Sequence, residues 1–139
     1  QLTSRDEAVI LNVGSIFGSI GHPGFTAYCA TKAGLMRFTE ALSRELADTP
    51  VRVAYIAPRA TKTSLNDDRV NALNTELGNK SDAPELVADQ IMAMLRDNSV
   101  LQYLGWPEKL FVRINALLPS LVGSALTKNL GKIKHYARR

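Results

Sequence analysis

An apolar run, a long amphipathic pattern and a second apolar run follow one another over residues 8–57, and this order constrains the fold more than any other feature. Ala8 to Val13 and Val51 to Ala57 are short and rich in valine and isoleucine, which is typical of buried strands. Between them, apolar residues recur every three or four positions from Ala27 to about Leu46, which predicts a long helix that ends near Pro50. Strand, helix and strand in this order predict a right-handed parallel crossover.

The sequence after this crossover continues the alternation of helix and strand. Pro84 to Arg96 has the apolar spacing of a helix, and Val100 to Leu104 is a third strand-like run. The polar stretch from Ser64 to Asp82 predicts a mobile segment that contains a short helix. We therefore predict an α/β fold, namely the C-terminal half of a doubly wound, Rossmann-like parallel sheet.

A helical extension with a basic tail is predicted after the sheet. Pro107 to Leu118 and Ser120 to Leu130 have the pattern of two short helices separated by Pro119. We divide the chain into residues 1–106, the half-sheet domain, and residues 107–139, the extension. The apolar side chains of the extension could cover a substrate cleft, pack across a dimer or lie on a membrane surface. The break in the apolar pattern at Pro119 favours a role in covering a cleft or in packing across a dimer over a role on a membrane surface.

The positive charge of the chain is concentrated at its C-terminus. The net charge is +4, but Thr127 to Arg139 contains five Lys and Arg residues and no acid. The rest of the chain has 12 basic and 13 acidic residues, so nucleic-acid binding by the whole domain has little support. A solvated chain end is the favoured interpretation of the tail, and contact with an anionic surface is the alternative.

Composition excludes several other classes of protein. Cys29 is the one cysteine, so an internal disulfide cannot form, a cysteine-based metal site is not predicted, and a reducing cytoplasm fits best. The most apolar stretch, Leu110 to Leu126, is interrupted by Arg113 and Pro119 and does not predict a membrane span. The chain begins with Gln1 and reaches a strand almost at once, from which we expect an upstream part of the protein.

The strongest chemical signal is a tyrosine and a lysine four residues apart at the start of the long helix. This spacing puts Tyr28 and Lys32 on one helix face, where the ammonium can lower the phenol pKa from about 10 and make Tyr28 a general acid and base. Such a pair is common by chance. Its combination with Ser15, at the end of the first strand, and with the segment from Pro58 to Thr63 is specific.

These residues together resemble the short-chain dehydrogenase/reductase family, and the resemblance extends from about Val9 to Leu104. By that resemblance Tyr28 exchanges a proton with the substrate oxygen, Ser15 hydrogen-bonds the same oxygen, and Lys32 assists Tyr28 and binds the nicotinamide ribose. The resemblance also implies contacts to an NAD or NADP cofactor. They would come from Tyr28, Lys32, Pro58, Arg59, Thr61 and Thr63.

The implied activity is hydride transfer between NAD(P)(H) and a carbonyl or secondary alcohol. The implied partners are a small-molecule substrate and further copies of the chain, as a homodimer or homotetramer built through the helix at residues 27–47. The alternative is a truncated relative that acts as a non-catalytic interaction module. Peripheral membrane contact through the extension is compatible with either hypothesis.

The sequence departs from the family pattern in two places that concern the cofactor. Arg59 follows Pro58 where family members usually have glycine, and its side chain could meet a phosphate or an acidic substrate. The glycine-rich dinucleotide loop and the catalytic asparagine belong upstream of the first strand, so neither is found here. Gly14, Gly18 and Gly21 imitate that loop, but their spacing is wrong for it.

Three polar residues near the predicted site have plainer interpretations that we favour. Asn12 is expected to fix the backbone at the strand end. His22 is expected to be a loop residue rather than a second base, and Cys29 to serve packing rather than nucleophilic chemistry.

Overall fold

A parallel sheet of three strands lies at the centre of the structure, a computed structural model that describes residues 2–63 and 68–137. The strands are β1 (Ala8–Val13), β2 (Val51–Ala57) and β3 (Leu101–Tyr103), in that order across the sheet. β1 pairs with β2 from Ala8 opposite Val51 to Val13 opposite Ile56, and β2 pairs with β3. The predicted parallel sheet is confirmed, with a third strand shorter than expected.

Parts of two predicted segments lie outside the described residues. They are residues 64–67 of the polar segment 64–82 and the last two residues of the basic tail, Arg138 and Arg139. The rest of the polar segment contains the expected short helix, α2 (Asp68–Glu76).

Helix α1 (Thr26–Glu45) makes the crossover from β1 to β2. Thr39 is its one buried residue, and its hydroxyl accepts a hydrogen bond of 2.9 Å from the Asn12 side chain of β1. The Asn12 side chain therefore joins the end of β1 to α1. The opposite face of α1, which includes Phe38, is exposed.

The alternation of side chains along β2 divides the core into two layers. Tyr55 and Ala57 pack on one face with residues of the turn after β1 and of the C-terminal helices. Ala54 and Ile56 pack on the other face with Met94 of helix α3 (Pro84–Arg96). Since successive strand residues point to opposite faces, both faces of the sheet are covered, as in a doubly wound fold.

The extension forms three helices, α4 (Glu108–Leu117), α5 (Pro119–Lys128) and α6 (Leu130–Ala137), where the sequence pattern indicated two. Pro119 is the first residue of α5, a position where the missing amide hydrogen removes no helix bond. α6 was missed because its charged residues resemble a solvated tail. Within the described part of the chain, none of the helices is long and apolar enough to cross a bilayer.

The inner faces of α4 and α5 belong to the same core as the sheet. Val112 of α4 and Val122 of α5 pack in the cluster that contains Tyr55 and Ala57. The proposed division into two domains at residue 106 stays a prediction.

Arg52 closes the C-terminal end of α3. Its guanidinium donates hydrogen bonds to the backbone carbonyls of Met94, Leu95 and Ser99 at 3.2 to 3.4 Å. Met94 and Leu95 lie in the last turn of α3, whose carbonyls have few partners within the helix, and the cation also meets the negative end of the helix dipole. The Met94 carbonyl also accepts a hydrogen bond of 3.1 Å from the Ser99 amide. One side chain of the central strand thus holds the helix on the sheet.

We expect Arg52→Met to lower the free energy of unfolding by about 1–3 kcal/mol, because the carbonyls at the end of α3 lose a charged donor. Urea unfolding followed by circular dichroism measures the change. Arg96→Met is the control, since it removes an exposed cation from the last turn of the same helix and should cost about 0.5 kcal/mol or less. Equal losses in both variants would contradict the capping role of Arg52.

Candidate active site

The turn after β1 is hydrogen-bonded to the end of β2, and this places Ser15 at the carboxyl edge of the sheet. The Gly14 amide donates to the Ile56 carbonyl at 2.7 Å, and the Ile16 amide donates to the Pro58 carbonyl at 3.1 Å. The serine turn and the segment that begins at Pro58, both singled out in the sequence, are therefore neighbours. Ligands of open parallel sheets bind at this edge.

Ser15 caps the single 3-10 turn Ile16–Gly18. Its Oγ accepts a hydrogen bond of 3.2 Å from the Phe17 amide. A hydroxyl has one proton to donate and two lone pairs. The cap uses a lone pair, which leaves the Ser15 proton available for an acceptor such as a carbonyl oxygen.

Tyr55 supports this turn from below and was not recognised in the sequence. Its side chain is buried, and its phenolic oxygen accepts a hydrogen bond of 3.4 Å from the Ser15 amide. Burial raises the pKa of Tyr55, so the phenol stays neutral. A Cβ at Gly14 would lie 2.0 Å from that oxygen, so glycine is required there for space. The available signal was a tyrosine within a buried strand, whose hydroxyl needs a polar partner.

Lys32 connects Tyr28 with the end of β1. Its ammonium donates to the Val13 carbonyl at 3.2 Å and lies 5.7 Å from the centre of the Tyr28 ring. The Tyr28 side chain is 43% exposed, so its phenol is accessible from solvent. The helical spacing therefore has the predicted effect of bringing the cation beside the phenol.

An aromatic cluster joins Tyr28 to the serine turn. Phe17 stacks on His22 with ring centres 4.7 Å apart, and it meets the Tyr28 ring edge-on at 6.4 Å. Phe25 contacts Phe17, His22 and Tyr28. These contacts restrict the orientation of the Tyr28 ring and give the site an apolar wall beside its polar groups.

His22 and Cys29 hold the loop between the serine turn and α1. His22 is 9% exposed, and its Nδ1 forms a hydrogen bond of 2.8 Å with the Pro23 carbonyl, an acceptor that requires a proton on Nδ1. Burial lowers the pKa of His22, so the ring is neutral near pH 7. The His22 amide donates to Cys29 Sγ at 3.3 Å. His22 has the surroundings expected of a loop residue, and Cys29, in the first turn of α1, lies against the same loop.

The segment after β2 is tied to residues distant in sequence. The Arg59 guanidinium donates to both carboxylate oxygens of Asp82, at 2.5 and 2.9 Å, and reaches Glu108 of α4 at 3.5 Å. Backbone hydrogen bonds between Ala60, Lys62 and Asp82 close the same junction. The Arg59 side chain thus binds carboxylates of its own chain.

The other predicted cofactor contacts lie along the same segment. Pro58 is buried against the serine turn, Thr61 is partly buried and Thr63 is exposed. Their roles, and those of Ser15, Tyr28, Lys32 and Arg59, stay predictions. Among the described residues, no group of three or more His, Cys, Asp or Glu side chains is arranged to hold a metal ion.

The site therefore combines a serine hydroxyl with a free proton, an accessible phenol and a lysine cation beside that phenol, all at one edge of the sheet. Such a group can hydrogen-bond one oxygen of a ligand and exchange a proton with it.

The chain is similar to known proteins in both sequence and fold. A family model described as short chain dehydrogenase matches residues 1–74. The NADP-dependent 3-hydroxy acid dehydrogenase of Schizosaccharomyces pombe is 34% identical over 105 residues, which are 70% of this chain and 40% of that protein. A 3-oxoacyl-(acyl-carrier-protein) reductase of Vibrio harveyi is 39% identical over 85 residues, which are 57% of this chain and 35% of that protein. The chain spans less than half the length of these relatives.

Solved structures share the fold. A short chain dehydrogenase from Burkholderia cenocepacia in complex with NADP has a TM-score of 0.73 at 24% identity, covering 90% of this chain and 49% of that one. A short-chain dehydrogenase from Streptomyces avermitilis has a TM-score of 0.67 at 24% identity, covering 100% of this chain and 56% of that one.

Arg59→Leu should lower the free energy of unfolding by about 3 kcal/mol, because it leaves the buried Asp82 carboxylate without its cation. Chemical denaturation measures the loss, and Arg59→Leu with Asp82→Asn should recover part of it. Arg37→Leu, which removes an exposed ion pair with Glu40, is the control and should cost about 1 kcal/mol or less. If Arg59→Leu costs no more than this control, the junction is not held by Arg59.

Because burial lowers the pKa of His22 below the ordinary 6.5, the unfolded chain binds this proton more readily than the folded chain does. We expect the wild-type protein to lose stability relative to His22→Gln as the pH falls through 6.5, and the difference to be constant above about pH 7.5. Thermal unfolding across this range measures it. The exposed His135, changed to Gln, is the control. A difference between wild type and His22→Gln that is independent of pH would contradict the assignment.

Proposed function

The chain belongs to the short-chain dehydrogenase family, and from that premise we propose that it carries the catalytic residues of an oxidoreductase that interconverts a carbonyl group and a secondary alcohol. The observation that carries the proposal is that Ser15 and Lys32 both lie at the carboxyl end of β1. Ser15 is in the turn that follows the strand, and Lys32 donates to the Val13 carbonyl with its ammonium 5.7 Å from the centre of the Tyr28 ring. NAD or NADP is the cofactor of this family, and it supplies the hydride.

In the reducing direction, the Ser15 hydroxyl donates a hydrogen bond to the carbonyl oxygen of the substrate. Tyr28 transfers its phenolic proton to that oxygen as the carbonyl carbon is reduced, and the phenolate is reprotonated from solvent. In the oxidising direction the phenolate accepts the proton of the alcohol. The cap that leaves the Ser15 proton free and the exposure of the Tyr28 ring both support these roles.

Lys32 is proposed to assist Tyr28, since its ammonium lies 5.7 Å from the centre of the Tyr28 ring. Its contact with the Val13 carbonyl holds the ammonium in place and leaves further N–H groups for a ligand.

The polar groups at this edge fit the nicotinamide end of the cofactor. The Lys32 ammonium offers donors to ribose hydroxyls, and the exposed Thr63 offers a hydroxyl to the carboxamide. The backbone near Thr61 forms a parallel β-bridge with Asp82, and its amide and carbonyl groups can contact the same end of the cofactor.

The sequence contains no Gly-x-x-x-Gly-x-Gly loop for the pyrophosphate, so the residues of this chain account for one end of the cofactor. Arg59 contributes through its backbone, because its side chain is engaged by Asp82 and Glu108.

We infer that the exposed face of α1, over residues 27–47, is a contact between subunits of a homodimer or homotetramer. Phe38 on this helix is 56% exposed, and no atom lies within 4 Å of the position of a Cβ at Gly34. An apolar ring beside a small residue is suited to close packing with another helix. The cytoplasmic location expected from the single cysteine stays a prediction.

Tyr28→Phe tests the proposed activity. In the protein that carries this sequence, we expect the variant to reduce carbonyl substrates with NADPH or NADH about 10²- to 10⁴-fold more slowly, because general acid catalysis is lost. The substrates are 3-oxoacyl thioesters and 3-oxo acids, the classes that the similar reductase and dehydrogenase act on by name. The reaction is followed by the loss of absorbance of the reduced cofactor. Thermal unfolding should be unchanged, because phenylalanine keeps the ring contacts with Phe17 and Phe25.

Tyr136→Phe is the matched control, since it removes a phenol that is bonded to Glu76, and it should keep the parent rate. Parent activity in Tyr28→Phe would refute the proposed role of Tyr28. Saturable cofactor binding is expected in both variants, and its absence from the parent protein would favour the non-catalytic interaction module instead.

A further inference from the structure

An apolar corner is exposed where the sheet passes into α4 and α5. Leu117, at the end of α4, is 80% exposed, and Leu118, between the helices, is 58% exposed. Leu121, in the first turn of α5, is 59% exposed. Leu110, seven residues before Leu117 and therefore on the same face of α4, is 41% exposed. We call these four residues the apolar corner.

The corner lies opposite the faces of the helices that pack on the sheet. Val112 and Val122 point into the core, and the Asn115 side chain donates to the Ser19 carbonyl at 2.9 Å. One inner face of the extension therefore packs on the turn that follows Ser15. The outer face is a separate surface, and Leu117, Leu118 and Leu121 lie within five residues of one another across the break before Pro119.

Cations share the outer faces with the leucines. On α4, Leu110, Arg113 and Leu117 are three and four residues apart and form one stripe. On α5, Leu121 and Lys128 are seven residues apart, which is nearly two helical turns, and form another. An apolar centre flanked by Lys and Arg is the pattern of helices that lie in a membrane interface.

The charge of this surface has one sign. Residues 109–137 contain five Lys and Arg and no Asp or Glu. Within the described parts of the chain, Lys132 is the one of these cations in an ion pair, with Glu76 of α2 at 3.8 Å. Arg113 and Lys128, which flank the leucines, remain available to a negatively charged partner.

We propose that the apolar corner and its flanking cations dock the protein on the surface of an anionic lipid bilayer. The leucines enter the region of the lipid headgroups and upper acyl chains, and Arg113 and Lys128 meet the phosphates. A second copy of the chain fits this surface less well. A symmetric contact would set Arg113 and Lys128 near their own copies, and this surface offers no carboxylate to pair with them. A side chain as exposed as Leu117 also protrudes, which suits insertion into lipid.

The test is co-sedimentation of the protein with vesicles of phosphatidylcholine mixed with phosphatidylglycerol, compared with vesicles of phosphatidylcholine alone. We expect binding to the anionic vesicles that weakens as salt is raised, because exposed charges are screened. Trp106 is the one tryptophan of the chain and precedes the corner in sequence, so its emission should shift to shorter wavelength on binding.

Two variants separate the contributions of the leucines and the cations. Leu117→Ser with Leu118→Ser and Leu121→Ser should weaken partitioning by about tenfold or more, and Arg113→Gln with Lys128→Gln should also weaken it and reduce its salt dependence. The control is Leu86→Ser with Met92→Ser, two residues that are 45 and 52% exposed on α3, and it should bind as the parent does. Circular dichroism confirms that each variant is folded.

Three results would overturn the proposal. The first is an absence of vesicle binding by the parent protein. The second is equal binding by the leucine variant and the control. The third is self-association in analytical ultracentrifugation that the leucine variant abolishes while vesicle binding is unchanged, which would assign the corner to a second copy of the chain.

Discussion

The parallel pairing of β1 with β2 is the constraint on which the rest of the structure depends. Parallel strands place their carboxyl ends at the same edge, so the turn that holds Ser15 and the segment that begins at Pro58 must meet. The connection must also return along the sheet, and α1 makes this return. That return sets Tyr28 and Lys32 at the beginning of the helix, directly above the strand ends. The candidate site is therefore a product of topology, and its side chains occupy places that the strand pairing creates.

The central strand, β2, stabilises neighbouring elements at both of its ends. Near its start, Arg52 holds the end of α3. Near its finish, Tyr55 supports the Ser15 turn, and Ala57 packs under α4 and α5. The extension is thus part of the support of the site, because its inner face is continuous with the core beneath the serine turn. Its outer face is free to take part in binding without disturbing that core.

Sequence reasoning found the features that depend on local spacing. The strands and the crossover helix follow from runs and spacings of apolar residues, and the spacing of four residues puts Tyr28 and Lys32 on one helix face. The roles of Ser15, Tyr28 and Lys32 stay predictions. Sequence reasoning did not find what depends on distant contacts. The partner of Arg59 is Asp82, 23 residues away, and the partner of Tyr55 is Ser15, 40 residues away. α6 was missed for a related reason, since its contact with α2 through Tyr136 and Glu76 joins residues 60 apart.

The close approach of Gly14 to Tyr55 restricts which substitutions the turn after β1 can accept. A Cβ at position 14 would fall 2.0 Å from the phenolic oxygen and 2.1 Å from the ring carbon that bears it, so the two positions share one small volume. Enlarging position 14 is tolerable only together with shrinking position 55, and the effects of the two substitutions cannot be independent. In a diverging lineage or a redesigned protein, a larger residue at position 14 requires a smaller one at position 55.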